Sequence, residues 1–219
     1  MAGRILISLI MVVMGMEGLA MAKEKEIILP QPVTAGKVSL EESISKRRSQ
    51  REFKKKDLSW EQIGQLLWAG QGITARQGGL NLRAAPSAGA LYPLELYALT
   101  KDGLYHYIPE GHKLESLSDK DLRGDLARAA LGQGSVASGA LDIVICAVYG
   151  RVTLKYGQRG KRYVHIEAGH AAQNIHLQAV ALGLGSVPIG AFNDTAAKKC
   201  LSLPADCEPL YIIPIGYPE

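Results

Sequence analysis

One stretch, Arg83–Tyr97 with the sequence RAAPSAGALYPLELY, strongly restricts what this chain can build. Its second half alternates apolar and polar residues over Leu94–Thr100, which predicts a β-strand. The turn signal Lys101–Gly103 follows, so Leu104–Ile108 is expected to be the hairpin partner of that strand. The first half, Pro86–Ala90, has almost no side-chain bulk, so a flat or phosphorylated ligand could approach its backbone. By itself the same loop is equally consistent with an ordinary tight connection.

Composition and charge narrow the classes of partner. The 219 residues are 47% hydrophobic, enough for one sizeable core in one domain. The net charge is only +4, and lysine and arginine concentrate in two short segments, Lys46–Lys56 and Arg151–Arg162. There is no broad basic stripe interleaved with aromatic residues, so nucleic acid is not expected as a partner. Local binding of a small anionic ligand is more consistent with this charge pattern.

Residues 1–22 have the pattern of a secretory signal peptide. Arg4 precedes an apolar run, Ile5–Met16, and the segment ends in an A-x-A motif before Lys23. The sequence therefore predicts export to the periplasm or secretion. The run is short for a membrane span, so no stable span is expected after cleavage, although an uncleaved leader that anchors the protein is an alternative.

The cysteines and histidines give weaker signals. Cys200 and Cys207 are close enough in sequence to close a disulfide loop in an oxidising compartment, whereas Cys146 lies in an apolar run and is expected to pack as a small hydrophobic residue. Near His165, the residues Glu167 and His170 have the spacing of a di-metal carboxylate motif. No second copy completes that motif, so no metal site is expected and these polar residues are expected to be structural.

Capping signals and apolar periodicity predict the other elements. Ser39 with Glu42, and Ser59 with Gln62, have the spacing of helix capping boxes. The remaining predictions are a helix over Asp121–Leu131 capped by Ser118, a strand over Leu141–Tyr149, a buried helix over Val164–Leu182, a short helix from Asn193 toward Cys200, and a final strand over Pro209–Pro218.

Two further segments carry possible binding chemistry. Arg47, Arg48, Ser49 and Arg51 form a compact donor set that suits a phosphate, although such a run is also typical of a solvated helix end. Gly185–Phe192 is a second loop rich in small residues. Neither Gly132–Gly139 nor Gly183–Gly185 is a dinucleotide fingerprint, because each follows a helix rather than a strand.

Taken together, five blocks resemble the nitroreductase-like flavin family, and within it the SagB/ThcOx-type dehydrogenase branch. They are RRSQREF, APSAGALYPLELY, HIEAGHAAQNIHLQA, GLGSVPIGAF and PLYIIPIGYP. The resemblance implies an α+β fold with a mostly antiparallel central sheet flanked by helices. It also implies an interlocked homodimer that holds one FMN at each interface. The flavin domain is predicted to span residues 39–219, with residues 23–38 as an N-terminal linker.

The resemblance also implies roles for residues at matching positions. Arg47, Arg48, Ser49 and Arg51 would hold the FMN phosphate, ribityl chain and pyrimidine edge. Pro86, Ser87, Ala88 and Gly89 would reach the flavin from the other subunit. Pro188, Ile189 and Gly190 would cover one face of the ring, with the Gly190 N–H near N5. Many family members place a basic residue after the last strand, where this sequence has Glu219, so the phosphate contact is expected to fall to the arginines.

The expected function is FMN-dependent oxidoreduction, with NAD(P)H as donor and a small electron-poor acceptor such as a nitroaromatic or a quinone. The flavin supplies the redox chemistry, so no catalytic side chain is assigned. One alternative is a flavin dehydrogenase that oxidises an azoline or another heterocycle. Another is an exported flavin-binding redox partner without turnover of its own.

Overall fold

The computed structural model describes residues 26–219, and the predicted signal peptide lies outside the described residues. One seven-stranded sheet organises the chain, and every pair of neighbouring strands in it is antiparallel, in the order β1-β6-β5-β4-β7-β9-β8. A separate hairpin is formed by β2 and β3. The strands are β1 (Glu26–Ile28), β2 (Ile73–Gln77), β3 (Leu80–Arg83), β4 (Leu94–Thr100), β5 (Gly103–Ile108), β6 (Lys113–Ser118), β7 (Leu141–Val148), β8 (Gly185–Ser186) and β9 (Cys207–Gly216).

Helices cover both faces of the sheet. They are α1 (Leu40–Lys46), α2 (Trp60–Gln71), α3 (Arg123–Ala129), α4 (Gly134–Ser138), α5 (Gly150–Tyr156), α6 (Arg159–Ala181) and α7 (Asp194–Cys200). The period-two pattern of β4 explains the two layers: Leu96 and Ala98 pack with α2 and α6, whereas Tyr97 and Leu99 pack with α3, α4 and α7. The predicted α+β class with a mostly antiparallel sheet is confirmed.

The longest helix, α6, lies within the larger hydrophobic cluster. Val164, Ala171 and Ile175 are among its fully buried residues. The helix begins five residues before Val164, where the sequence analysis placed its start. The prediction missed this first part because its residues are mostly polar and do not continue the apolar periodicity. Among residues 26–219, no helix combines the length and the apolar composition that a membrane crossing requires.

Several local predictions are confirmed. The β4–β5 hairpin forms, and Ser59 and Gln62 make the complete capping box of α2. The Ser39 side chain accepts a hydrogen bond from the Glu42 N–H at 3.1 Å, and Asn193 caps α7 through the Ala196 N–H at 2.8 Å. These signals are local in sequence, so they do not depend on the rest of the fold.

The prediction that Ser118 caps a helix is wrong. It is the last residue of β6, and its hydroxyl accepts from the Lys120 N–H at 3.2 Å, which makes a turn instead. The following helix, α3, begins only at Arg123 and has no side-chain cap. Hydroxyl side chains favour turns for the same reason that they favour helix caps, so the sequence signal was ambiguous here.

The segment predicted as a linker, residues 23–38, contains the edge strand β1, which pairs with β6. Farther along the same segment, the Val33 backbone exchanges two hydrogen bonds with the Gln65 amide, at 2.8 and 3.0 Å. A strand of three residues is too short to give an alternating pattern, which explains why the sequence did not indicate it.

The disulfide between Cys200 and Cys207 that the sequence allowed is not formed in the structure. Cys146, Cys200 and Cys207 are all free. The thiol of Cys207 lies beside that of Cys146 on the neighbouring strand, and Cys146 is fully buried, as the apolar run predicted. Burial raises the pKa of the Cys146 thiol, which keeps it in its protonated, unreactive form.

Candidate functional site

The arginine-rich segment that follows α1 lies against the sheet edge formed by β8 and β9. The Ser49 backbone bridges Ser186, and the Gln50 N–H donates to the Ser186 carbonyl at 3.0 Å. Glycines make this close approach possible. A Cβ atom on Gly185 would lie 2.7 Å from the Cβ of Gln50, which is too close for a real contact.

The donor groups of this segment face outward. Arg47 is half-buried, whereas Arg48, Ser49 and Arg51 are exposed. Arg48 uses one nitrogen, Nη1, to donate to the carbonyls of Ser45 at 2.9 Å and of Arg47 at 2.8 Å. None of the ion pairs within the described part of the chain involves these three arginines. Their charge is therefore available to an anion.

A buried histidine contacts Ser186, the residue of β8 against which this segment lies. Nδ1 of His176, on α6, lies 2.8 Å from the Ser186 hydroxyl. Burial, with a smaller contribution from the Arg47 charge, lowers the pKa of His176 to about 4, so the ring is neutral at pH 7. Its Nε2 atom has no partner within residues 26–219. The sequence analysis did not single out His176, although a polar residue on the apolar side of a helix is a usable signal.

The loop after β8 adjoins the same surface. Ile189 is buried and pairs with Ile212 of β9, Pro188 is half-buried, and Gly190 is exposed. A Cβ atom on Gly190 would lie 3.6 Å from the Tyr211 ring. The predicted arginine group and the predicted Pro188–Gly190 group therefore lie next to each other in one chain, joined through Ser186.

The third predicted group, in the loop before β4, has a strained backbone. Ala88–Ala90 form one turn of 3-10 helix, and Gly89, Ala90 and Tyr92 have positive φ angles of 65°, 53° and 46°. The Ser87 hydroxyl accepts from the Tyr92 N–H at 2.9 Å, which closes the loop. Glycine adopts such angles freely, but alanine and tyrosine do so only when their surroundings compel it.

Two residues missed by the sequence analysis lie over this loop. Lys155 and Tyr156, at the end of α5, have their Nζ and Oη atoms 3.0 and 2.9 Å from the position of a Cβ on Gly89. An amine and a phenol therefore lie beside the backbone of this loop. Nothing in their local sequence spacing marked them, because the contact joins residues far apart in the chain.

The loop and the arginine segment lie on opposite sides of α6. The loop's Ser87 hydroxyl faces Glu167, whereas Ser186 contacts His176. His176 is nine positions after Glu167 on the helix, which corresponds to about 13.5 Å along the axis and places the two side chains on roughly opposite sides of it. One chain therefore does not bring all the predicted site residues together.

The metal motif considered from the sequence does not form a pair of ligands. Glu167 points into the core and is buried, whereas His170 is exposed. His165 is also exposed, and its Nε2 lies 2.6 Å from the Tyr149 hydroxyl. His106 of β5 is half-buried, with Nε2 at 2.8 Å from a carboxylate oxygen of Glu95.

Solved structures show which class of protein has this fold. The chain aligns with a candidate nitroreductase from Ralstonia eutropha JMP134 at a TM-score of 0.78 and 32% identity, covering 90% of each chain. It also aligns with the NADPH:FMN oxidoreductase of Vibrio harveyi, solved with NAD+, at a TM-score of 0.62 and 24% identity, covering 82% of this chain and 69% of the other. The sheet and helices are thus those of the nitroreductase-like fold.

Sequence comparisons give the family. Residues 44–217 match the model of the nitroreductase family, and this chain belongs to that family. It is 40% identical over 202 residues to the candidate nitroreductase MJ1384 of Methanocaldococcus jannaschii, covering 90% of this chain and 98% of the other. It is 29% identical over 133 residues to the microcin B17-processing protein McbC of Escherichia coli, covering 55% of this chain and 48% of McbC. The predicted family is confirmed, and the chain is accordingly classed as an oxidoreductase.

Proposed function

We propose that this protein is an FMN-dependent oxidoreductase that takes electrons from NAD(P)H and reduces a small electron-poor acceptor of the nitroaromatic or quinone type. The observation that carries the proposal is the arginine-rich segment Arg47–Arg51, which lies against a glycine-rich sheet edge and whose arginines form no ion pair within residues 26–219. Arg47, Ser49 and Arg51 offer guanidinium and hydroxyl donors, Gly185 lets this segment lie close to the sheet, and the exposed Gly190 adds no side chain beside it. Phosphate and a flat ring system are the chemical features that such a surface accommodates.

The residues present fit an FMN. Arg47, Arg48, Ser49 and Arg51 would bind its phosphate, ribityl chain and pyrimidine edge, and Pro188–Gly190 would lie over one ring face with the Gly190 N–H near N5. When bound, the flavin supplies the hydride-transfer chemistry. The protein's part is to hold the cofactor, to place positive charge beside it and to leave one face open for donor and acceptor in turn.

The proposed enzyme is a homodimer. In one chain, the Pro86–Gly89 loop lies across α6 from the arginine segment, so a second copy would have to supply this loop to complete each site. That arrangement agrees with the intersubunit role expected of Pro86, Ser87, Ala88 and Gly89. A symmetric dimer has two equivalent sites, because each chain gives one half-site to each.

Export is a further part of the proposal and rests on the leader sequence alone. NAD(P)H is mainly an intracellular donor, so an exported form would take up FMN after translocation or use a different electron donor. Cell fractionation with N-terminal sequencing tests this part. A mature protein that begins at Lys23 in the exported fraction would support it, whereas an intact Met1 in the cytoplasm would contradict it.

The activity is tested by purifying the protein and recording its absorbance spectrum before and after addition of NAD(P)H. We expect flavin absorbance bands that bleach with the nicotinamide and return when an electron-poor acceptor is added. A colourless protein that fails to take up added FMN would contradict the proposed cofactor and the function with it.

Replacing Arg47 with alanine tests the phosphate contact. We expect FMN affinity to fall by roughly 1.5–3 kcal/mol, because a charge-assisted hydrogen bond is lost. The measurement is a fluorescence titration of the flavin-free protein. Arg128→Ala is the matched control, since Arg128 is an exposed arginine on α3 at the other face of the sheet. If both variants bind FMN equally well, Arg47 does not contact the cofactor.

The resemblance to the SagB/ThcOx-type branch gives a second candidate, a flavin dehydrogenase that oxidises an azoline or a related heterocycle, and the similarity to the microcin B17-processing protein McbC supports considering it. Lys155 and Tyr156 beside the Gly89 loop place an amine and a phenol where they could contact such a substrate. The two candidates are distinguished by the reductant. Bound flavin that ignores NAD(P)H but is bleached by a thiazoline compound would favour the second.

A further inference from the structure

Arg151, the second residue of α5, contacts two other parts of the fold and has no part in the proposed contacts with the cofactor. Its Nη1 atom donates to the Tyr92 carbonyl at 3.0 Å, and its Nη2 atom pairs with Oε1 of Glu95 on β4. The first partner lies in the loop before β4, and the second lies on β4 itself. One guanidinium group therefore links α5 to the loop Pro86–Tyr92 and to the central sheet.

The loop carbonyl that Arg151 binds belongs to a strained residue. Tyr92 has a left-handed φ of 46°, and the following Pro93 restricts its backbone further. Its N–H donates to the Ser87 hydroxyl at 2.9 Å, and its hydroxyl accepts from the Arg83 N–H at 3.2 Å. The third hydrogen bond, from Arg151 to the carbonyl, is the charge-assisted one. Because such a conformation persists only when its surroundings compel it, the loop depends on these three contacts.

Glu95 holds the guanidinium group of Arg151 in place. The side chain of Glu95 is 16% exposed and that of Arg151 is 40% exposed, so water screens this ion pair less than it screens a pair at the surface. The other carboxylate oxygen, Oε2, lies 2.8 Å from Nε2 of His106 on β5. Burial raises the pKa of Glu95, but the contacts with His106 and Arg151 outweigh that effect and lower it overall. Glu95 is therefore ionised at neutral pH, with both oxygens in polar contacts.

The chemistry of arginine suits this position. The nitrogens of a planar guanidinium group donate in fixed directions, so one group can bind a carboxylate and a carbonyl at the same time. The same helix also contacts the loop at its other end, because the terminal atoms of Lys155 and Tyr156 lie 3.0 and 2.9 Å from the position of a Cβ on Gly89. Helix α5 and the loop thus meet at two places, and Arg151 makes the charged contact with the loop backbone.

We propose that Arg151 is a positioning residue for the Pro86–Tyr92 loop: anchored by Glu95, its guanidinium group holds the Tyr92 carbonyl and fixes the loop against α5. The relevance of the loop to the reaction rests on the proposed function, since the loop would complete the flavin site of the other subunit. The contacts that position the loop involve residues of one chain. The flavin-free protein should therefore already hold the loop in its defined conformation.

Hydrogen exchange of the purified flavin-free protein at neutral pH tests the positioning role. The Tyr92 amide reports on the loop, and the amide of Ile143, a fully buried residue of the central strand β7, reports on opening of the whole fold. Arg151→Met removes the guanidinium group but keeps an unbranched side chain. We expect protection at Tyr92 to fall about ten-fold or more, because a charge-assisted hydrogen bond is lost, whereas Ile143 keeps its protection. The Tyr92 N–H itself bonds to Ser87, so its exchange reports the conformation of the loop.

Two further variants separate the role of the guanidinium group from a general loss of packing. Arg151→Lys keeps a charged donor and should recover part of the protection that Arg151→Met loses. It should not recover all of it, because an ammonium group lacks the fixed pair of nitrogens. Glu95→Gln should also lower the protection of Tyr92. Combined with Arg151→Met it should add nothing further, since both changes act through the same contact.

Arg128→Met is the matched control for the exchange experiment. Arg128 is an exposed arginine of α3 whose guanidinium group also pairs with a carboxylate, that of Asp125. Its replacement should leave the protection of Tyr92 unchanged. Three results would each overturn the proposal: unchanged protection at Tyr92 in Arg151→Met, equal losses at Tyr92 and Ile143, or an Arg151→Lys variant that exchanges like Arg151→Met.

An FMN titration of the unmodified protein separates this inference from the proposed function. If FMN does not bind but the expected exchange results are obtained, the positioning role of Arg151 stands and the proposed function fails. If FMN binds but the protection of Tyr92 does not depend on Arg151, the function stands and the positioning role fails.

Discussion

At the scale of single residues, each of the two groups of predicted site residues lies beside a buried titratable group on α6. His176 supports the arginine segment through Ser186, and Glu167 faces the loop through Ser87. Burial is the main cause of both pKa changes, and it favours the neutral form in each case. Burial therefore keeps both side chains uncharged between about pH 4 and pH 7.

These two residues make opposite contributions to the pH dependence of stability. The folded pKa of His176 is about 4, below its ordinary 6.5, so its contribution is present above pH 6.5 and is lost as the pH falls toward 4. The folded pKa of Glu167 is about 7, above its ordinary 4.5, so its contribution is present below pH 4.5 and is lost as the pH rises through 7. Each change corresponds to up to about 3 kcal/mol, and the two largely offset each other.

Single variants should reveal the two contributions. We expect the free energy of unfolding of the unmodified protein, minus that of His176→Asn, to rise between pH 4 and 6.5. The corresponding difference for Glu167→Gln should fall between pH 4.5 and 7. Urea unfolding at a series of pH values measures both, and His170→Gln serves as the control. Difference curves that are flat, or that have the opposite slopes, would contradict the buried neutral state of these groups.

At the scale of elements, the site depends on glycines that let one segment lie close to another. Gly185 in β8 and Gly216 in β9 would each clash with the arginine-rich segment if they carried a Cβ atom, at 2.7 Å from Gln50 and 2.9 Å from Phe53. Both contacts are with Cβ atoms fixed to the backbone. The segment cannot evade them by turning a side chain.

Gly185→Ala tests this dependence. We expect the new methyl group to push the arginine-rich segment off the sheet edge and to lower FMN affinity by about ten-fold or more, because a misplaced charge-assisted contact loses roughly 1.5–3 kcal/mol. Gly124→Ala is the control, since this helical glycine has nothing within 4 Å of a Cβ and alanine favours helices. FMN binding is measured by titration, and folding is checked by circular dichroism. Unchanged affinity in Gly185→Ala would show that the segment does not need this close approach.

The sequence predicted most elements whose signals are local. Period-two alternation identified β4, the turn signal after it identified β5, and hydroxyl or amide caps identified the starts of α1, α2 and α7. The sequence did not indicate β1, because a strand of three residues is too short to show alternation. It misplaced a helix cap at Ser118, because serine favours turns as well as helix caps. Contacts made only in three dimensions, such as His176 with Ser186, gave no sequence signal that identified the partner.

At the scale of the whole molecule, the predicted site residues divide between two sides of one helix. The order of the blocks in the sequence indicated the family and its fold, and comparison confirmed both. Sequence order did not indicate that Ser87 would lie near one part of α6 and Ser186 near another, because that division depends on how both loops pack around the helix. The roles of the individual residues in cofactor binding stay predictions.

The central claim is that each site combines half-sites from two chains, and complementation between two defective variants tests it most directly. One chain carries Arg47→Ala with Arg51→Ala, and the other carries Gly89→Trp, which fills the loop where a Cβ already meets Tyr156. Mixed dimers are isolated with two affinity tags, and bound FMN is measured by absorbance. In a mixed dimer, one site contains both defects and the other contains none.

We predict that each variant alone binds little FMN, whereas the mixed dimer binds about one FMN per dimer, because its unimpaired site is rebuilt from two sound halves. Circular dichroism and thermal melting establish that both variants fold. Mixed dimers that bind no more FMN than either parent would mean that each site lies within a single chain, and would contradict the division of the site across α6.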